Sequence, residues 1–225
     1  MALAGFIALG VWQLHRMEWK RDLIARVTAR TRAAPVRIPP GAAIASADPH
    51  AINYLRVRLS GTYAAPQSAL VRAATDLGTG YWAMTPMRLA DGRTVWVNRG
   101  FVTEGTPLPA VIAGVPSGEA RVVGLLRSTE PGGSLLQSNQ PGADRWYSRD
   151  VAALSRARRT GAVLPAFVDT QSEQAAAAVG GVKPVPGLTV VTFPDNHLSY
   201  ALTWFAMAAL SGIGITLAWR RRGAT

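Results

Sequence analysis

The chain has 225 residues and no cysteine, which excludes disulfide bonds, thiolate metal sites and a cysteine nucleophile. It carries 24 Lys and Arg against 13 Asp and Glu, a formal charge of +11. This excess of positive charge suits a membrane surface or an acidic partner. We find no basic stripe interleaved with aromatic residues, so nucleic acid is not among the expected partners. The length allows one globular domain and one or two membrane spans.

The chain begins with an apolar stretch, residues 2–14, that contains no charge. As a helix this stretch is about 20 Å long, which is too short to cross a membrane unaided. It lacks the basic leader and the small-residue cleavage site of a signal peptide. We therefore predict an uncleaved anchor helix that runs on through residues 15–32, where apolar residues recur at helical spacing. Whether the start codon lies further upstream stays open.

Prolines at positions 35, 39 and 40 predict the end of this helix and a loop that lasts to about His50. Beyond the loop the hydrophobic period changes to two, which is typical of half-buried strands. The predicted strands cover residues 54–63, 69–73, 82–89, 94–102, 119–126, 167–170 and 188–192.

The connections between these strands indicate the fold of the soluble part. The dipeptide Asp91-Gly92 predicts a tight hairpin between residues 82–89 and 94–102. Residues 148–159 predict one short helix with Asp150 in its start signal. Residues 171–187, rich in alanine, glycine and proline, predict a poorly ordered loop. The soluble part is therefore expected to be mainly antiparallel β, as a small barrel or curled sheet.

The longest apolar run lies near the end of the chain. Residues 198–219 contain no charge and are followed by three arginines at 220–222. A helix of this length reaches about 33 Å, so the run predicts a membrane span with a basic stop. His197 lies at the mouth of this helix and shares one face with Tyr200 and Trp204. An interfacial aromatic belt is the alternative role for the two aromatic residues, and a surface cap is the alternative for the histidine.

These patterns predict an α+β membrane protein in which two transmembrane helices flank a mainly antiparallel β domain outside the membrane. The expected domains are an N-terminal helix with its extramembrane extension (1–32), the β domain (33–195), a C-terminal span (196–219) and a basic tail (220–225). The three terminal arginines favour cytoplasmic positions for both ends. Small residues predict where the two helices pack together. They are Ala4, Gly5, Ala8 and Gly10 on the first helix, and Ala208 and Gly212 on the second.

Three blocks of sequence resemble the Surfeit locus protein 1 family. They are LGVWQLHRMEWK (residues 9–20), the motifs GY, TP, DGR and VNRGFV (within residues 80–102), and NHLSYALTW (196–204). Shorter segments at residues 124–127, 146–151 and 167–169 are also similar to the family, so the match covers the whole chain in the family's order. The sequence departs from the family pattern at Asp195, where a second Asn is usual, and at Trp82, where a His is frequent.

The resemblance implies a role in building haem-copper cytochrome c oxidase, with the chain in a bacterial inner membrane and its large domain in the periplasm. In bacterial members the histidine of the last block is implicated in binding haem a, and by position this residue is His197. A haem site needs an axial nitrogen, an apolar slot and cations for the propionates. The expected cofactor-binding residues are accordingly His197, Tyr200, Trp204, Arg16 and Lys20.

Three functions compete at this point. The first is an assembly factor that holds haem a, with the oxidase core subunit and the haem a synthesis enzymes as partners. The second is a scaffold that binds a maturing subunit and never contacts haem. The third, an enzyme, is disfavoured because no spacing of nucleophile and base is present, and a copper chaperone because no Cys pair or His/Met cluster is present.

Three further residues carry open alternatives. His15 would supply a second axial ligand if the two helices pair, or would reach for lipid headgroups. Arg99 and Arg127 interrupt strand patterns, and such arginines usually face solvent or pair with a carboxylate. An interface with the oxidase subunit that receives the haem is the functional alternative for both.

Overall fold

The structure is a computed structural model that describes residues 2–134, 137–178, 180–188 and 196–222. The chain divides into two compact units, a helical unit (residues 1–29 and 191–225) and a β unit (residues 30–190). The helices are α1 (Ala2–Arg32), α2 (Gly41–Ser46), α3 (Pro49–Ile52), α4 (Leu108–Ala113), α5 (Val151–Arg158) and α6 (His197–Arg222), with short 3-10 turns at Ala65–Gln67 and Pro141–Ala143. The strands are β1 (Val36–Arg37), β2 (Leu55–Tyr63), β3 (Ala69–Thr75), β4 (Gly78–Leu89), β5 (Thr94–Thr103), β6 (Glu119–Ser128) and β7 (Ala166–Ala175).

Helix α6 contains the candidate membrane span. Residues His197–Arg221 are long and apolar enough to cross a membrane, and only 12% of their most apolar window is buried. A core helix of a soluble protein would be mostly buried, so the exposed apolar surface favours contact with lipid. The predicted C-terminal apolar helix is thus present, and it supports association with a membrane.

Helix α1 is continuous from Ala2 to Arg32, which confirms that the first helix runs on beyond its apolar start. Unlike α6, α1 does not meet the criteria of length and apolar composition for a membrane span. Among the described residues, α6 is the one helix that meets them. The reason is compositional, because charged residues follow immediately after position 14. The second transmembrane helix therefore stays a proposal.

The seven strands form one sheet in the order β1-β2-β6-β7-β5-β4-β3. Because β2 also pairs with β4, the five strands β2, β6, β7, β5 and β4 close into a ring. All pairs are antiparallel except β1 with β2 and β5 with β7. The expected α+β class and the mainly antiparallel, curled sheet are therefore observed.

Alternation of side chains gives this sheet its inner and outer faces. Along β2, Val57 and Leu59 are buried while Arg56 and Arg58 lie on the other face. The buried faces of the ring form one apolar core. A second core lies under α5, where the Trp96 indole N–H donates to Ser155. Burial of these apolar faces is the main force that closes the sheet.

The predicted hairpin is confirmed, since β4 and β5 pair up to Arg88 and Thr94 around the Asp91-Gly92 turn. Gly92 has a φ of +84°, a conformation that glycine adopts without steric cost. Helix α5 is also confirmed, and the Asp150 carboxylate caps it by accepting from the Ala153 N–H.

Three sequence predictions need correction or fall outside the described residues. The segment up to His50 is not a plain loop, because it contains β1 and the short helices α2 and α3. Strand β7 extends to Ala175, into the predicted loop, because residues 172–175 pair with β6. Of the predicted strand at 188–192, only Leu188 lies among the described residues, where it is not in a strand.

Candidate functional site

The helical unit pairs α1 and α6 in antiparallel directions. Phe6 and Trp204 stack with ring centroids 5.9 Å apart, and Gln13 contacts His197, so residue numbers rise on one helix as they fall on the other. Between these contacts, Gly10 is buried against Phe205. The two helices predicted to pair therefore do so, through aromatic stacking, a small residue and a polar contact.

The histidine at the mouth of α6 is half-buried and oriented by this pairing. Its Nδ1 atom lies 2.8 Å from Oε1 of Gln13. An amide oxygen can only accept a hydrogen bond, so Nδ1 of His197 is the donor in this contact. A neutral imidazole that donates through Nδ1 carries its lone pair on Nε2, and this is the atom that can bind a metal. No hydrogen bond to Nε2 is present among the described residues.

The other predicted cofactor residues are placed differently. Trp204 is half-buried on Phe6, whereas Tyr200 is 58% exposed. Arg16 is exposed, with its guanidinium 4.5 Å from the ring centroid of Trp19.

Two more predicted positions depend on the register of α1. Lys20 is half-buried and lies about 10.5 Å further along the helix axis than Gln13. Position 13 rather than position 15 meets His197, and His15 is exposed. Within the described residues, the structure thus brings Trp204 and His197 to α1 but gives no support to a bis-histidine arrangement.

The packing prediction based on small residues is only partly right. A Cβ atom on Gly10 would lie 2.6 Å from the Phe205 ring, whereas nothing lies within 4 Å of such an atom on Gly5 or Gly212. Ala208 is buried, but Ala4 and Ala8 are exposed. The face of α1 that packs on α6 is therefore rotated relative to the predicted face. It consists of Phe6, Gly10 and Gln13, which follow one another at spacings of four and three.

The β unit contains a buried ion-pair cluster around Asp169 of β7. This carboxylate, 2% exposed, accepts from Asn98 at 2.9 Å, from Arg149 at 3.1 Å and from Arg127 at 3.2 Å. Glu130 binds the other side of Arg149 at 2.6 Å. Two arginines and two carboxylates thus share one network in which opposite charges compensate each other's burial.

Electrostatics within this cluster favour the charged forms. Burial pushes the pKa of the Glu130 carboxyl upward, but hydrogen bonds and the charge of Arg149 outweigh it, so that pKa lies below the ordinary value of 4.5. Burial likewise opposes the charge of Arg149, but Asp169 and Glu130 hold its pKa above the ordinary value. Glu130 and Arg149 therefore stay ionised at neutral pH.

The cluster borders a cavity of about 500 Å³ with aromatic walls. The guanidinium of Arg127 lies 4.8 Å from the ring centroid of Tyr54, and that of Arg149 lies 5.9 Å from that of Trp82. Nε of Arg127 is buried without a hydrogen-bond partner among the described residues. With its charged and aromatic lining, this cavity could receive a polar group of a partner.

Arg99, in the VNRGFV block, forms a second buried pair. It is 3% exposed and donates to Glu173 at 3.1 Å, and Glu173 also accepts from the Tyr63 hydroxyl. Burial, with the negative charge of Glu173, raises the pKa of Tyr63 above its ordinary value of 10. Both Arg99 and Arg127 therefore pair with carboxylates, as the commoner of the two interpretations of their sequence pattern predicted.

Sequence reasoning missed Gln13, Asp169 and Glu130 as partners of the functional candidates. Gln13 offered one signal, since it is the only amide or hydroxyl side chain in residues 2–14. A polar residue in such a stretch usually meets a polar group on another helix. Asp169 offered a similar signal, because it directly follows a buried apolar run.

Comparison with known proteins agrees with the resemblance seen in the sequence blocks. The family model described as SURF1 family matches residues 1–209. The chain is similar to a SURF1-like protein of Monosiga brevicollis, with 33% identity over 96% of this chain and 83% of that protein. It is also similar to Surfeit locus protein 1 of Mus musculus, with 34% identity over 89% of this chain and 68% of that protein. It is likewise similar to Surfeit locus protein 1 of Homo sapiens, with 33% identity over 89% of this chain and 69% of that protein. The chain belongs to the SURF1 family.

Proposed function

We propose that this chain is a membrane assembly factor for haem-copper cytochrome c oxidase that binds haem a through His197 and delivers it to the catalytic subunit. One observation carries the proposal. His197 is held by Gln13 through Nδ1, and its Nε2 atom is left as an available ligand beside an apolar helix surface.

The residues around His197 fit a haem. The stacked rings of Phe6 and Trp204 and the neighbouring Phe205 form an apolar aromatic surface on the same helix pair. Tyr200, exposed at the same end of α6, adds a further aromatic face. Arg16 and Lys20 supply positive charge beyond the apolar part of α1, where propionate groups would need it. Haem, when bound, would supply an iron centre for the imidazole of His197 and a macrocycle that these apolar rings would cover.

The same proposal includes an arrangement in the membrane. The N-terminal helix with its extension (1–32) and the C-terminal span (196–219) both cross an inner membrane, with the β domain (33–195) on the outer side. The basic tail (220–225) and the N-terminus then lie on the cytoplasmic side, in accord with the three terminal arginines. The proposed partners are the oxidase core subunit, the haem a synthesis enzymes and the lipid bilayer.

A scaffold without haem is the second candidate function. The observation that favours it is the cavity beside Arg127 and Arg149 in the β unit, which could receive a polar group of a maturing subunit. In neither candidate does the chain act as an enzyme.

The deciding experiment is an optical spectrum of the detergent-purified full chain, co-expressed with the haem a synthesis enzymes. Wild type and His15→Ala should both show Soret and α-bands, since His15 is exposed and away from Gln13. His197→Ala should lose both bands while the protein still inserts into the membrane. Equal haem content in wild type and His197→Ala would refute the haem proposal and favour the scaffold.

A further inference from the structure

The outer faces of β2, β6 and β7 form one wall of a groove of about 730 Å³ that also borders β1 and the β4–β5 turn. We call it the arginine groove, after the four arginines in its lining: Arg37, Arg58, Arg93 and Arg121. Among the described residues, Asp91 is the one carboxylate of that lining. This groove lies wholly within the β unit and contains none of the residues proposed to bind haem.

Strand register brings three of these arginines together. Arg37 on β1 is directly opposite Arg58 on β2. Arg58 in turn pairs with Val123 on β6, so Arg121 is its diagonal neighbour, about 7–8 Å away. Like charges opposite each other destabilise a sheet. These three arginines, which we call the strip, therefore lower the stability of the isolated domain.

Among the described residues, no carboxylate pairs closely with the three arginines of the strip. Arg58 donates to the backbone oxygen of Pro35, a neutral acceptor. Arg121 lies 3.9 Å from Glu119, and both side chains are largely exposed, so their attraction is weak. Among the described residues, no ion pair involves Arg37 or Arg58.

Some other arginines of the β unit do have a close carboxylate partner among the described residues. Six of them have a carboxylate oxygen within 3.2 Å, namely Arg72, Arg93, Arg99, Arg127, Arg149 and Arg158. Arg93, the fourth arginine of the groove, is held by Asp91 and donates to the Pro39 oxygen at 2.6 Å. Arg93 therefore fixes the wall of the groove. The positive charge without a close carboxylate partner is concentrated on Arg37, Arg58 and Arg121.

Between the arginines the groove has an aliphatic floor. Val123 is half-buried between β2 and β7, and Ile38 and Leu89 border the opposite wall. Ser172 and Gln174 on β7 add neutral hydrogen-bonding groups. A ligand that matches this lining carries negative charges and apolar side chains alternately, at the spacing of an extended chain.

We infer that the arginine groove binds a short acidic segment of a partner protein, whose carboxylates pair with Arg37, Arg58 and Arg121. The planar guanidinium group binds a carboxylate with two parallel hydrogen bonds, and the aliphatic floor receives the intervening side chains. A lipid headgroup would pair with the arginines but would not contact the aliphatic floor of the groove. The inference is independent of haem binding.

The test uses the full chain in neutral detergent and a fluorescein-labelled heptapeptide of alternating leucine and glutamate, followed by fluorescence anisotropy. Wild type should bind this peptide and not the analogue with lysine in place of glutamate, and binding should weaken as salt is raised. The double variant Arg37→Glu/Arg121→Glu should bind about tenfold more weakly or worse. Both side chains are exposed, so the fold should tolerate the change.

The matched control is Arg145→Glu/Arg156→Glu, which makes the same change in net charge at two exposed positions outside the groove lining. It should bind the peptide like wild type. Equal binding by both double variants would overturn the inference, because only net charge would then matter. Binding of phosphatidylglycerol vesicles, but not of the peptide, in an Arg37- and Arg121-dependent manner would overturn it in favour of lipid. The haem spectrum should be unchanged in both double variants, so this test and that of the proposed function can fail separately.

Discussion

Nδ1 of His197 and Oε1 of Gln13 lie 2.8 Å apart and join the two helices of the helical unit at the mouth of α6. This contact fixes the orientation of the imidazole and the position of its proton. It also gives Gln13 a function that its place in an apolar stretch would otherwise not explain. Replacing a group that holds a metal-ligating histidine in this way typically lowers metal affinity by about 10- to 100-fold.

The first prediction concerns this positioning residue. Gln13→Leu should lower haem affinity by about 10- to 100-fold, because the imidazole loses the acceptor that keeps Nε2 free. Haem content and the position of the α-band in the purified full chain measure the effect. Gln13→Glu is the matched control, since a carboxylate also accepts from Nδ1, and it should retain haem. Loss of haem in Gln13→Glu and its retention in Gln13→Leu would contradict the assigned role.

The second prediction concerns Gly10, which contacts Phe205 of the other helix. Gly10→Ile should destabilise the helix pair by about 1–3 kcal/mol, because the new side chain meets the Phe205 ring. The midpoint of thermal unfolding in detergent measures the loss. Gly5→Ile makes the same chemical change where nothing lies within 4 Å of a new Cβ, and it should have little effect. Equal loss in both variants would show that the contact with Phe205 is not responsible.

The third prediction concerns Asp169, the buried centre of the ion-pair cluster. Asp169→Asn should lower the free energy of unfolding by about 3–5 kcal/mol, because Arg127 and Arg149 keep their buried charges but lose a shared counter-charge. Urea unfolding of the full chain in detergent, followed by tryptophan fluorescence, measures this change.

Asp91→Asn is the control for that variant. Its pair with Arg93 is also close, at 2.6 Å, but the Asp91 side chain is 52% exposed. An exposed pair contributes at most about 1 kcal/mol, so the loss should be clearly smaller than for Asp169→Asn. If the two variants lose equal stability, burial does not set the strength of these ion pairs.

Local sequence patterns were sufficient for the elements whose contacts are near in sequence. The β4–β5 hairpin followed from Asp91-Gly92, and α5 from its Asp150 cap. The inner face of β2 followed from strict alternation. In each of these elements, turn chemistry, capping or periodicity acts within a few residues, so the sequence itself carries the information.

Elements that depend on distant partners could not be predicted in this way. Strand β7 continues through Gln171–Ala175 because β6 offers a hydrogen-bonding edge, although the segment itself has weak strand propensity. The same holds for the helical unit, where the face of α1 and the meeting of Gln13 with His197 depend on the register between two helices. Periodicity within one helix gives a face but not its partner.

The last prediction concerns acid stability. The pKa of the Glu130 carboxyl in the folded chain lies below 4.5, its ordinary value, because Arg149 outweighs the effect of burial. As the pH falls, the carboxyl of Glu130 is protonated first in the unfolded chain. The stabilisation by ionised Glu130 is therefore complete above about pH 4.5, and it is lost as the pH falls through the lower pKa of the folded chain. Urea unfolding between pH 7 and pH 3 should therefore show a stability gap between wild type and Glu130→Gln that is constant down to about pH 4.5 and then narrows. Asp91 also has a lowered pKa, but it titrates in both proteins and cancels in this difference. A gap that widens on acidification would mean that Glu130 is protonated in the folded chain, contrary to its contacts with Arg149.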